Sequence, residues 1–404
     1  MSTWLDLPDD GFGLDNLPYG SFSTTPDGAR RIGVAVGDRV LDVSALDVPA
    51  LDVPGAAELA RPTLNAFLAL GPAEWAAQRA AVQQLLGDPA ARGAVAPHLL
   101  PRGEVHLHLP FEVADYVDFY SSRHHAENLG AMFRPDSPPL TPNWKHLPIG
   151  YHGRAGTVAV SGTPVVRPCG QRKAPSDARP TFGPSLRLDI EAEVGFVVGV
   201  PSALGTPVPV GDFAEHVFGV CLVNDWSARD LQSWEYVPLG PFLGKSFLTS
   251  VSPWVVPLAA LQPARVPAPE RDVPLLPYLQ DAEHPWGLDL TLEVRLNGEL
   301  LSRPPFALMY WTAAQQLAHL TVNGASLRTG DLLASGTVSG PERGQRGSLI
   351  ELSWGGAEPL TFADGSTRTF LEDGDTVTLT ATAPGAHGGR IALGEVSGQV
   401  HPAR

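Results

Sequence analysis

From about Leu107 to the C-terminus the chain reads as short alternating runs of apolar and polar positions, broken repeatedly by glycine and proline. GTVAVSGTPVVRP, LDLTLEVRLNGELLS, GSLIELSW and GDTVTLTATA are such runs. A period of two sends successive side chains to opposite faces, so each predicts a short strand. The first hundred residues differ: RRIGVAVGDRVLDVSAL carries strand signals, while LNAFLALGPAEWAAQRAAVQQLLGD is Ala-rich and predicts helix interrupted near Gly71 and Pro72. No convergent polar residues occur there, which fits an accessory domain concerned with packing or assembly. The expected architecture is therefore mainly β (α+β), with an N-terminal accessory domain at 1–110 and a larger β-rich domain at 111–404. PARVPAPERDVPLLPYL reads as a Pro-rich surface connection, and no repeat recurs at a fixed period.

One alternating run carries charge as well as pattern. In LRLDIEAEVGFVVGV the apolar set is Leu186, Leu188, Ile190, Ala192, Val194, Phe196 and Val198, and the opposite set begins Arg187, Asp189, Glu191 and Glu193. Glu191 and Glu193 therefore point the same way from one strand. Two carboxylates that close repel unless a cation lies between them. The competing reading is a solvated polar face on a half-exposed strand. Asp118, in ADYVDFYSSRHHAENLGAMFR, and Asp225, at the end of the apolar run VFGVCLVND, tip the balance. Aspartates that close hydrophobic strands sit where a rigid scaffold meets solvent. An all-oxygen donor set of this kind suits Mg²⁺ or Ca²⁺, with Mn²⁺ also accommodated, and does not suit zinc.

Composition narrows the partners. The 404 residues are 43% hydrophobic and 18% charged, enough for a substantial core, and 40 prolines with 42 glycines then indicate loops and not disorder. A net charge of −15, with 28 basic residues scattered among 43 acids, argues against nucleic acid or an anionic membrane as partner. A small anionic substrate stays compatible through local cations. Only Cys169 and Cys221 occur, in no metal-ligand or disulfide spacing, and no run reaches the roughly 18 apolar residues of a membrane span. The expectation is a cytoplasmic protein.

Histidine supplies the candidate general base. His124 and His125 are adjacent, so in regular structure they point in different directions and only one faces any given site. A zinc centre lacks the needed spacing among the 12 histidines, and no G-x-S-x-G nucleophile elbow is present. Lys245, in PLGPFLGKSF after a Gly- and Pro-rich loop, is either a surface lysine or an ammonium that stabilises an enolate or oxyanion beside the carboxylates.

Six long strings, DFYSSRHHAENLGAMFR, PNWKHLPIGYHGRAGTVAVSGTP, LDIEAEVGFVVG, NDWSARDLQSWEYVPLGPFLGKSFLTSVSPWVVP, YWTAAQQLAHLTVNGASLRTGDLLASGTVSGPE and LEDGDTVTLTA, closely resemble the fumarylacetoacetase family. The resemblance runs from about Asp115 to the C-terminus and, more loosely, through the N-terminal region. It implies an SH3-like barrel as the small N-terminal domain, a large β-rich catalytic domain, a homodimer, and hydrolysis of a carbon–carbon bond in 4-fumarylacetoacetate to fumarate and acetoacetate, the last step of tyrosine and phenylalanine breakdown. It implies metal ligands at Asp118, Glu191, Glu193 and Asp225, with Lys245 and Thr249 beside the metal. His125 matches the proton acceptor and Glu351, in LIELSW, the carboxylate that orients it. Tyr120, Arg134, Tyr151, Gln232, Tyr236 and Thr337 match substrate-contacting positions. His124 stands where the animal members are expected to carry Gln, and it offers a competing imidazole.

The same carboxylates would also serve acylpyruvate hydrolysis, oxaloacetate decarboxylation or hydration of a 2-keto-enoic acid, since each polarises adjacent oxygens. Decarboxylation needs no activated water, so a paired His125 and Glu351 favour hydrolysis. A further reading is a binding or structural protein whose carboxylates hold Ca²⁺.

Overall fold

The two largest apolar clusters lie on opposite faces of one sheet. The computed structural model describes residues 3–46 and 53–404. The central sheet has its strands in the order Gly150–His152, Tyr116–Phe119, Leu332–Ala334, Ala192–Val198, Val217–Asp225, Thr249–Val251 and Val158–Val160, with Val256–Pro257 also paired to Val217–Asp225. A second sheet is ordered Glu299–Ser302, Thr291–Leu296, Thr376–Pro384, Arg390–His401 and Val165–Val166. Side chains from the two sheets, among them Val194, Phe196, Val220, Leu222, Leu292, Val294, Leu379 and Val396, form the larger core.

The N-terminal region builds a five-stranded antiparallel sheet in the order Leu99–Pro101, Arg39–Asp42, Arg31–Val36, Tyr19–Ser23 and His106–His108, accompanied by the helix Pro72–Gly87. The helical run is interrupted where the sequence predicts, because Gly71 adopts φ +90°, a left-handed conformation that glycine tolerates. Ile32, Val34, Phe67, Leu68 and Trp75 from this region pack against Val197, Cys221, Val223, Val251 and Leu332 on the other face of the central sheet. Tyr19 and Val255 exchange two backbone hydrogen bonds of 2.9 and 2.8 Å across the contact. Gly20 lets the chains approach: a Cβ there would meet the Trp254 ring at 2.6 Å. The central sheet is thus covered on both faces, and its inner strands, from Tyr116–Phe119 to Thr249–Val251, are buried throughout instead of alternating.

Three expectations are corrected. LRLDIEAEVGFVVGV is two strands, Leu188–Asp189 paired with Ser227–Ala228 and Ala192–Val198 paired with Val217–Asp225. Its charged face is as buried as its apolar one, with Asp189 and Glu193 fully inaccessible, so the solvated-face reading fails, while Leu186 at 72% exposure lies outside the core. LIELSW forms no strand; Leu349–Leu352 is a short helix whose first amides are taken up by the carboxylate of Asp189. The alternating pattern there was too short to distinguish a strand from a buried helical turn.

Candidate metal and proton-transfer site

The sheet order brings the acidic side chains together from strands far apart in sequence. Asp118 lies on Tyr116–Phe119, flanked by the strands of Leu332–Ala334 and Gly150–His152. Glu193 is on Ala192–Val198, and Asp225 ends Val217–Asp225, where it pairs in register with Thr249. One oxygen of each of Asp118, Glu193 and Asp225 falls within 4.8 Å of the other two, and all three residues are buried. Glu193 Oε2 accepts from the Gly336 amide at 3.1 Å, while Oε1 has no hydrogen-bond partner among the described residues. Gly336 is required at this point: its φ is +77°, and a Cβ would lie 2.1 Å from the Phe119 carbonyl oxygen.

Burial pushes Glu193 well above the usual carboxylate range, and Asp118, Asp225 and Glu191 add repulsion. For the same reasons, with Asp225 as the main repelling neighbour, Asp118 is pushed up to about 6. A buried, converging and repelling set of oxygens with one orphaned lone-pair donor is a fit for a hard divalent cation.

Three cations surround this cluster. Lys245 Nζ lies 2.5 Å from both Glu191 Oε2 and Asp225 Oδ2. Arg154 contacts Asp225 at 2.5 Å and Asp118 at 3.1 Å, donates to the Tyr151 hydroxyl at 2.8 Å, and lies over the Tyr116 ring. Arg229 joins Asp189 and Glu191, each at 2.8 Å. Burial works against the Lys245 ammonium, but Asp225 and Glu191 outweigh it and raise its pKa. A charged ammonium has no lone pair to offer a metal. Glu191 sits next to the three-carboxylate set with its oxygens on Lys245 and Arg229, which overcome its burial and hold it well below the usual range. Thr249 donates to Asp225 at 3.3 Å.

His125, which meets Glu351 from the short helix Leu349–Leu352, stands on the helix Arg123–Phe133. Ser122 caps this helix through the amide of His125, and the His125 ring is almost inaccessible. Its Nδ1 lies 2.7 Å from Glu351 Oε2, and its Nε2 faces Glu191 Oε1 at 3.7 Å. Glu351 also accepts from Asn128 at 2.9 Å, Ser339 at 2.9 Å and Ser348 at 2.7 Å. Burial alone would raise it, but His125 and these donors hold the Glu351 carboxyl below its ordinary range. An ionised Glu351 accepts from Nδ1–H, so Nε2 is the free lone pair aimed toward the carboxylates. The neighbouring His124 is only half-buried and makes no such bond among the described residues.

The other positions divide. Tyr120 stands edge-on to His125 with ring centroids 5.5 Å apart, Tyr151 donates to Asp118 at 2.8 Å, and Thr337 is buried with its hydroxyl unpartnered among the described residues. Gln232 accepts from Arg229 at 3.3 Å on the helix Arg229–Glu235, and Tyr236 follows it, 49% exposed. Arg134 is exposed at the end of its helix and donates to the Pro139 carbonyl at 2.8 Å. Arg154, Arg229, Asn128 and Asp189 are not singled out by the sequence pattern. The arginines in WSARD and YHGRA were the available signal, but nothing in their spacing announces burial beside carboxylates such as Asp118, 36 residues from Arg154, and Asp189, 40 residues from Arg229.

Comparisons with known proteins agree along the whole chain. The Fumarylacetoacetase N-terminal family model matches residues 15–110, and the Fumarylacetoacetate (FAA) hydrolase C-terminal model matches residues 115–400. The chain is 49% identical to Fumarylacetoacetase of Homo sapiens, over 98% of this chain and 97% of that protein. It is 47% identical to Fumarylacetoacetase of Caenorhabditis elegans, over 100% of both. Among solved structures it shares its fold with a fumarylacetoacetate hydrolase from Exiguobacterium antarcticum, at a TM-score of 0.55 and 18% identity, covering 96% of this chain and 100% of that one.

Proposed function

Starting from the fact that the chain belongs to the fumarylacetoacetase family and hydrolyses the carbon–carbon bond of 4-fumarylacetoacetate to fumarate and acetoacetate, we propose how its residues divide that work. Asp118, Glu193 and Asp225 hold a divalent cation, Mg²⁺ or Ca²⁺ by donor type with Mn²⁺ admissible, and Glu191 completes the set when Lys245 or Arg229 yields an oxygen. When bound, that cation supplies Lewis-acid polarisation of the diketone oxygens. Support comes from the orphaned Glu193 oxygen and from the charge balance: six buried carboxylates, Asp118, Asp189, Glu191, Glu193, Asp225 and Glu351, face only three buried cations, Arg154, Arg229 and Lys245.

Hydrolysis needs a water stripped of a proton at the attacked carbonyl. His125 Nε2 takes that proton, and Glu351 holds the ring in the required tautomer and offsets the imidazolium charge. The tetrahedral oxyanion collapses, the carbon–carbon bond breaks, and the electron pair passes into the enolate of acetoacetate. Lys245, kept charged by its two carboxylates, and Gln232 stabilise the negative charge as it develops. The enolate carbon is then protonated, and His125 is positioned to return its proton. Tyr120, Tyr151, Tyr236 and Thr337 contact the substrate; Arg134 clamps a terminal carboxylate once it leaves Pro139.

The observation that carries this reading is the 2.7 Å His125–Glu351 contact with Nε2 turned toward the carboxylate cluster. It favours hydrolysis over decarboxylation on the same scaffold, because only the former must activate water. Loss of the enol absorbance of 4-fumarylacetoacetate, stopped by a chelator and restored by Mg²⁺ or Ca²⁺, is the expected result. No loss with any metal would contradict it and turn attention to acylpyruvates and oxaloacetate. We further place this step at the end of tyrosine and phenylalanine breakdown, in the cytoplasm; among the described residues no helix is long and apolar enough to cross a membrane. A homodimer is the expected assembly, and exposed Val237, Leu239, Phe242 and Leu243 offer apolar surface for it.

A further inference from the structure

Asp189 touches neither the three-carboxylate cluster nor His125, yet it is fully buried and its bonds lead to the turn that carries Glu351 and to Arg229, which pairs with Glu191. Its Oδ1 accepts from the amides of Leu349 at 2.8 Å and Ile190 at 2.7 Å. Its Oδ2 accepts from the Ile350 amide at 3.1 Å and from Arg229 Nε at 2.8 Å. The Leu349–Leu352 turn carries Glu351, which holds His125; Arg229 holds Glu191, which faces the other nitrogen of His125. Asp189, Arg229, Glu191, His125 and Glu351 therefore close a ring, with Asp189 as the link between the turn that bears Glu351 and the cationic wall of the site. We propose that Asp189 is a positioning residue for hydrolysis, one that sets the Glu351–His125 bond and the Arg229–Glu191 bond against each other; this rests on the reading of His125 and Glu351 given above.

The chemistry of the four partners explains why an acid occupies this place. All four are donors, and only a carboxylate offers two acceptor oxygens. An ordinary helix cap would need only one oxygen on the turn amides; here the second reaches a guanidinium as well. Asparagine would turn its NH₂ group either toward the Leu349 and Ile190 amides or toward the Ile350 amide and Arg229, so in both orientations a donor faces donors and the hold on the Leu349–Leu352 turn loosens. Supporting groups of this kind, placed one bond behind the reacting residues, commonly change activity by 10- to 100-fold when altered.

The test is Asp189→Asn in the full chain, with kcat, KM and the Mg²⁺-titration midpoint measured and the His125 Nδ1–H proton followed by NMR in ¹⁵N-histidine protein, where it is identified by its loss in His125→Ala. The expected result is a fall in kcat of roughly 10-fold or more, with the KM held, the metal midpoint moved less than by Glu193→Gln, and the Nδ1–H signal shifted or broadened by solvent exchange. An unchanged signal in the folded variant overturns the inference, whether turnover is normal or falls only with the amount of folded protein. Normal turnover by His125→Ala would instead overturn the reading it rests on. Should Asp189→Asn not fold, amide exchange in the unmodified protein decides: Leu349 and Ile350 are expected to be strongly protected, and exchange as fast as in the surface loops overturns the proposal.

Discussion

The nine buried residues of the strand Val217–Asp225 meet two different environments. On one side Phe218, Cys221 and Val223 enter the apolar contact with the N-terminal region; at the far end Asp225 is gripped by Lys245, Arg154 and Thr249. Burial is equal, but the physics differs. Apolar side chains contribute in proportion to the area they hide, so a defect there is graded and local. Charges gain little net stability from pairing in the interior, but removing one partner leaves its neighbours uncompensated, so a defect there spreads. The apolar contact is a means of holding the sheet, and the charged end is what the held sheet makes available for chemistry.

Paired substitutions separate the two most sharply. Phe218, whose ring meets Tyr19, Phe67 and Trp75, should cost about 3–5 kcal/mol as Phe218→Ala. Lys245→Met should cost a similar ~3–5 kcal/mol in chelator-treated protein by stranding Glu191 and Asp225. Their functional outcomes should diverge: kcat per folded molecule survives in the first and collapses in the second, read by denaturant titration beside turnover. A kcat that falls equally in both would erase the distinction.

Gly20→Ala is the smaller test of the apolar side. Its methyl would meet the Trp254 ring and the Pro253 carbonyl, so roughly 1–3 kcal/mol of overpacking is expected, seen as a lower melting temperature with unaltered kcat.

The pH dependence probes the charged side and has the smallest effect. Burial and the neighbouring Asp225 push Asp118 up to about 6, above the roughly 3.9 of an unfolded chain, and Glu193 is also raised. The folded metal-free protein thus binds more protons than the unfolded one between about pH 4 and 6, so this contribution is fully present below that window and is lost as pH rises through it. A cation must displace the retained protons, and its affinity should climb by up to about tenfold per pH unit for each proton released. Calorimetric Mg²⁺ titrations in buffers of differing ionisation heat would show that release; a pH-independent affinity would place the ion elsewhere.

Sequence made the charged end more legible than the apolar contact. Alternation around Glu191 and Glu193, and the aspartate closing VFGVCLVND, located the cluster; the family resemblance supplied His125 and Glu351. Neither shows that the charged face of that strand is buried, because the groups that cover it come from elsewhere in the chain: Lys245 is 54 positions from Glu191, Gly336 is 143 from Glu193 and Leu349 is 160 from Asp189. Alternation also misread LIELSW, where Asp189 supplies the cap that makes a helical turn the better solution. Arg154 and Arg229 stayed hidden since an arginine's partner is set by the sheet order and not by its neighbours in the chain.

The central claim is that the carboxylates that hold the cation and the pair that moves the proton are separate parts of one site. Turnover of 4-fumarylacetoacetate measured against Mg²⁺ concentration for the unmodified chain, Glu193→Gln and His125→Ala tests it directly. The account predicts a metal midpoint moved to higher concentration in Glu193→Gln, and in His125→Ala an unmoved midpoint with the plateau lowered by on the order of 10²-fold or more. An unmoved midpoint in Glu193→Gln, or a near-normal plateau in His125→Ala, would contradict it.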